Sequence, residues 1–143
     1  MSGLTEPAVP GTTTDGTAHI GKITTVLNGQ IGNHYRNRKF KDGTPTDIKR
    51  KMLLSDVVYT VGNKKRALVV NIHATPGNHP PGYPSQHVYH YFTVIGYEKS
   101  TGKVYIADSA NFSGKTKYWM TAASLASMLH AGDSGKDEYY NHM

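Results

Sequence analysis

Two β-forming runs joined by a short turn constrain this chain more than any other feature. From Val88 to Tyr97 nearly every residue is aromatic or β-branched, and Lys103 to Ala107 repeats the pattern after EKSTG. Such residues suit a pleated, half-buried surface, so the pair reads as an antiparallel hairpin. Setting Tyr97 opposite Lys103 puts Asp108 opposite Phe92, diagonal to His90 and on the same sheet face, because side chains alternate with a period of two. A carboxylate that accepts the proton of one imidazole nitrogen fixes the tautomer and leaves the other nitrogen as a general base. His90 and Asp108 are therefore the candidate catalytic residues, with His90 as base and acid and Asp108 as orienter.

What this pair lacks is a nucleophile. The chain of 143 residues contains no cysteine, which excludes thiolate catalysis, disulfides and thiolate metal ligands within it. Ser109 follows Asp108 directly and must face the other side of the sheet. Thr12 to Thr14 lie in an irregular arm, so no hydroxyl is nominated in place of the thiol.

The rest of the sequence reads as scaffold. Residues 1–16 are rich in Pro, Gly and Thr without a hydrophobic period and form a flexible arm. Residues 17–130 form one α+β domain, and residues 131–143 a polar, frayed tail. Ile20, Ile23, Val26 and Leu27 recur at helical spacing, with Thr17 as N-cap and Gly29 as stop. Tyr35 and Phe40 lie in a basic stretch that reads as an extended edge element. The run from Thr44 predicts a second helix, with Thr44 as N-cap, Pro45 at its first position, Asp47 in its first turn and Ile48, Met52 and Leu53 as its buried stripe. RALVVNIH is a central strand. Trp119 is a core or cleft-wall aromatic, and a last helix starts at Thr121 with Leu125, Met128 and Leu129 inward. No apolar run approaches the length of a membrane span, so no membrane partner is expected.

A net charge of +6 favours polyanions in general. The excess is concentrated in HYRNRKFK, KRK and NKKR, which read as a solvated basic face. Nucleic acid is not an expected partner, since neither a zinc-finger nor an RNP-type signature is present. His73, His79, His87 and His90 cluster around the proline-rich loop ATPGNHPPGYPSQ, and three imidazoles can form a zinc site with an open position. Their spacing matches no helical zinc signature, so no metal ligand and no cofactor is assigned. Asn71 and His73, two apart on one strand face, are secondary site candidates, as is Asn111 beyond Asp108.

The string HYFTVIGY, a turn and VYIADSAN resemble the C-terminal half of the papain-like cysteine peptidases related to the bacteriocin leader-processing (double-glycine) peptidases. GTTTDGTAHIGKITTVLN and NIHATPGNHPPGYP resemble further segments of that family, so the likeness runs from Gly11 to Leu129. In that family a histidine opens one strand and an aspartate closes the next, and His90 and Asp108 occupy those places. The resemblance implies an α+β, papain-like fold, an antiparallel sheet with packed helices, whose N-terminal nucleophile helix is missing. It also implies peptide or cell-wall peptide substrates, and a cleft that leaves the His90 strand end open to solvent, where desolvation is weak and the carboxylate charge dominates at His90. Localisation is left open, with an extracellular or cell-wall-associated setting expected if the chain is a fragment. Two readings of function follow: a cysteine-peptidase-like hydrolase domain that is inactive alone, its cysteine supplied by a separate segment or lost, or a non-catalytic peptide- or glycan-binding module on the same fold. A metal-binding hydrolase built on the histidine cluster stands as a third. The apolar surface left by a missing helix implies a homo-oligomer or an arm swap.

Overall fold

A computed structural model describes residues 35–41, 43–130 and 138–142. The expected arm, the helix after Thr17 and the threonines at 12–14 lie outside these residues. Among the described residues the strands and α-helices are β1 (Arg36–Phe40), α1 (Thr46–Val57), β2 (Leu68–Ala74), β3 (Val88–Glu98), β4 (Lys103–Ala107), β5 (Lys117–Thr121), α2 (Ala122–Ser127) and β6 (Glu138–His142). The strands form one antiparallel sheet in the order β1-β6-β2-β3-β4-β5. The architecture is α+β, as the alternation of hydrophobic periods predicts.

Alternation divides the sheet into two faces with different tasks. On one face Leu68, Val70, Ile72 and Ala74 of β2 lie opposite Val94, Phe92, His90 and Val88 of β3. Val104 and Ile106 of β4 and Tyr118 and Met120 of β5 continue that face. Leu53 and Val57 of α1 and Leu125 and Ala126 of α2 join them in one core cluster. Each fully buried aliphatic side chain there contributes about 1.5–3 kcal/mol of transfer free energy, enough to hold helices whose own propensity is modest.

Helix α1 differs from expectation at its start and in its buried stripe. Pro45, not Thr44, is the N-cap and offers no side-chain cap. The Thr44 hydroxyl instead donates to the Lys41 carbonyl at 2.7 Å, closing the preceding turn. Ile48 is 50% exposed, whereas Lys49, Leu53, Asp56 and Val57 are buried. The helix has turned its basic-acidic flank inward because Asp56 meets Arg38 of β1. The guanidinium donates to both carboxylate oxygens, at 2.8 and 3.1 Å, and ties the edge strand to the helix. Part of the basic stretch is thus structural rather than solvated.

The C-terminal residues overturn a second expectation. Glu138–His142 is not a frayed tail but β6, inserted between β1 and β2. A strand whose partners lie so far away in sequence has no local signal beyond its two tyrosines, and pairing alone decides its conformation. Trp119 is corrected too: it is 47% exposed and packs beside Tyr105 with ring centroids 4.8 Å apart, while its neighbour Tyr118 is buried. Alternation along β5 places only one of two adjacent aromatics in the core. Helix α2 follows the reading, with the Thr121 hydroxyl oxygen accepting from the Ser124 N–H at 3.1 Å.

Candidate functional site

The hairpin register explains how His90 and Asp108 come together. At the turn Glu98, not Tyr97, lies opposite Lys103, one residue away from the expected pairing. A β-bulge between Val94 and Gly96 then absorbs one extra residue, and beyond it Thr93 lies opposite Ala107. Continuing that register puts Asp108 opposite Phe92, so the shift at the turn is cancelled before the site is reached. Without the bulge every side chain of β3 beyond it would face the wrong side.

His90 Nε2 lies 2.9 Å from Asp108 Oδ1. The same oxygen accepts the Ala110 N–H at 2.9 Å, a local turn that an aspartate at a strand end favours. The other oxygen, Oδ2, accepts the hydroxyls of Tyr83 at 2.5 Å and Tyr118 at 2.6 Å. The Asp108 backbone is pinned as well, its N–H donating to Thr116 O at 2.8 Å. The expected open strand end is corrected here: the His90 and Asp108 side chains are 4% and 0% exposed. Tyr83 and Tyr118, themselves buried, close over the carboxylate.

Electrostatics in this pocket follow from burial and bonding together. Burial, the largest single influence, pushes the Asp108 carboxyl upward, but hydrogen bonds from His90, Tyr118, Tyr83 and Ala110 N–H jointly hold it below the ordinary carboxylate value. Burial raises both tyrosine hydroxyls far above their ordinary value, and the adjacent carboxylate adds to the effect. The centre is therefore a carboxylate surrounded by donors. An ionised carboxylate is an acceptor only, so Nε2 of His90 must carry its proton. Nδ1 is then the nitrogen left to accept or deliver a proton, the disposition a general base requires.

Other sequence candidates fall elsewhere. Asn71 and His73 share a face, but it is the opposite face of the sheet: Asn71 pairs with Tyr91 and His73 with Tyr89, whereas His90 pairs with Ile72. Their proximity to the site in sequence is undone by strand alternation. Asn71 is 2% exposed, with its Nδ2 unbonded. Asn111 is an exposed residue with φ 55°, and its carbonyl accepts the Gly114 N–H, so it shapes the turn after Asp108 and is not among that carboxylate's partners. The histidine cluster divides. His90 faces the core, His79 bonds through Nδ1 to Pro80 O at 2.9 Å, and His73 approaches His87. Among the described residues no three His, Asp or Glu side chains stand ready to hold a metal ion.

Sequence reasoning missed Tyr83 and Tyr118. Tyr83 had a signal: PPGY predicts a type II turn, and the Tyr83 N–H indeed bonds to Pro80 O at 3.2 Å with Gly82 at φ 83°. That turn swings the following aromatic toward the sheet. Tyr118 had only the alternation of β5, which is silent about which face is inner.

Comparison with curated proteins returns no match. The family model described as the Peptidase_C39 like family matches residues 6–131, a span that includes α1, α2, strands β1 to β5 and both His90 and Asp108. With most of its length covered and an α+β architecture of the papain-like kind, the chain belongs to the Peptidase_C39 like family.

Proposed function

We propose that this chain is a peptidase-like domain that receives peptide beside His90 and, having no thiol, does not cleave it alone. The observation that supports this reading most is the donor cage of Asp108. Three side chains and a backbone N–H hold one carboxylate, which fixes His90 with Nε2 engaged and Nδ1 as its remaining nitrogen.

In this reading a separate cysteine-bearing segment supplies the nucleophile. Nδ1 takes the thiol proton, the thiolate attacks the scissile carbonyl carbon, and the imidazolium returns the proton to the departing amine. Water then hydrolyses the thioester and releases the acid and the thiol. Asp108 stays ionised throughout and stabilises the imidazolium. The substrates it suits by family resemblance are Gly-rich leader peptides or cell-wall cross-bridge peptides.

The test uses the chain as it stands, with Gly-rich and cross-bridge peptides as probes. Mass spectrometry is expected to find no cleavage, while NMR finds saturable shifts of the His90 ring signals. Cleavage that survives metal chelation would refute the need for an external thiol. Peptides that leave His90 unmoved at millimolar concentration would remove the peptide-binding reading.

A further inference from the structure

On the face of the sheet away from Asp108, three imidazoles from separate segments converge. His73 is the penultimate residue of β2, His87 lies in the loop before β3, and His130 follows α2. His73 Nε2 is 3.0 Å from His87 Nδ1, with ring centroids 5.2 Å apart. His130 stands edge-on to His73 at 5.7 Å. Tyr89 stacks on His73 at 4.2 Å and lies 5.0 Å from His130. The arrangement is held by backbone: the His73 N–H donates to Met128 O at 2.8 Å and the His130 N–H to Asn71 O at 2.9 Å. Two of the three rings are thus carried on a rigid junction between β2 and the end of α2.

Clustering imidazoles is costly whenever they are protonated, and among the described residues no carboxylate hydrogen-bonds to these rings to offset that cost. A bound cation removes that cost when each ring is neutral and presents a lone pair to it. Two imidazoles on one tetrahedral zinc, with bonds of about 2.05 Å, hold their nitrogens about 3.3 Å and their ring centres about 5.2 Å apart. The ring centres here have that separation, and the 3.0 Å approach of the nitrogens is that of an imidazole–imidazole hydrogen bond, so an ion that binds both takes the place of the shared proton and turns each ring until its lone pair meets the metal.

We propose that His73 Nε2 and His87 Nδ1 bind a divalent transition-metal ion of the zinc class on this outer face. Because among the described residues no three side chains are placed to hold one ion together, the site takes two protein ligands, and water or a reoriented His130 completes the shell. Its affinity is accordingly lower than that of a closed structural zinc site. The site is independent of the His90 and Asp108 pair, which faces the core.

Zinc alone is the probe, titrated calorimetrically into the full chain, with circular dichroism confirming that each variant is folded. The expected result is one saturable event, at least about tenfold weaker in His73→Gln and in His87→Gln, and unchanged in His79→Gln. NMR should show the His73 and His87 ring signals shifting together while His90 stays put. Absence of saturable binding to the parent chain would overturn the proposal. So would equal affinity in His87→Gln, which would assign the ion to other histidines.

Discussion

Tyr83 and Tyr118 donate to the same carboxylate oxygen of Asp108, at 2.5 and 2.6 Å, one from a proline-rich loop and the other from the edge strand β5. The loop and the strand are thereby joined through a buried charge, and the histidine on the other oxygen inherits its position from both. Hydrogen bonds to a buried charge are worth about 1.5–3 kcal/mol each. Tyr83→Phe and Tyr118→Phe are each expected to cost about that much in urea unfolding. Their double variant should cost more than the sum, because in each single variant the carboxylate relaxes toward the remaining donors and recovers part of the loss. Strict additivity would show that the two hydroxyls do not act on one group.

Acid is expected to weaken the fold through this same carboxylate. Asp108 has a folded pKa below its unfolded value, so its contribution is fully present above the unfolded value of about 3.9 and is lost as pH falls through the folded one. The tyrosines run the other way. Their folded values are raised, so their contribution is present below about 10 and fades as pH rises beyond it. Stability measured against pH should fall at both ends. In the Asp108→Asn variant the decline below pH 4 should be shallower, and an unchanged acid limb would disprove the assignment.

Asp108→Asn should also loosen His90. The Nε2–H bonded to Asp108 is protected from solvent, so its NMR resonance is expected to exchange slowly in the parent chain and fast in the variant. An amide in place of the carboxylate can turn a donor toward Nε2 and leave the wrong nitrogen protonated. If His90 keeps the same tautomer and exchange rate in both proteins, the carboxylate is not its orienter.

Gly82 is expected to be intolerant of even one methyl group. Its φ is 83°, and a Cβ there would stand 2.9 Å from the backbone oxygen of Phe112 and 2.8 Å from Lys115 Cδ. The lysine can move aside, but the backbone cannot. Gly82→Ala should cost about 1–3 kcal/mol and displace the adjacent Tyr83, whose ring packs edge-on against Phe112 at 4.6 Å. Thermal denaturation combined with the His90 exchange rate measures both effects. A melting temperature equal to that of the parent would show that the loop yields freely.

Local patterns carried much of this structure. The β-branched runs of β2, β3 and β4, the Thr121 cap of α2 and the aspartate that ends β4 were all legible, because each depends on neighbours within a few residues. Strand alternation placed His90 and Asp108 on one face only because the one-residue error in the expected turn register is cancelled by the bulge. What the sequence by itself could not determine was anything decided by partners distant along the chain. The bulge that restores the register, the burial of the pair under Tyr83 and Tyr118, the inward turn of Asp56 toward Arg38 and the pairing of β6 with β1 and β2 all depend on such partners. So does the separation of His73 from His90: they are near in sequence, yet alternation on paired strands sends one to the outer face and the other to the core. A period of two fixes which residues share a face, but only packing fixes which face is buried.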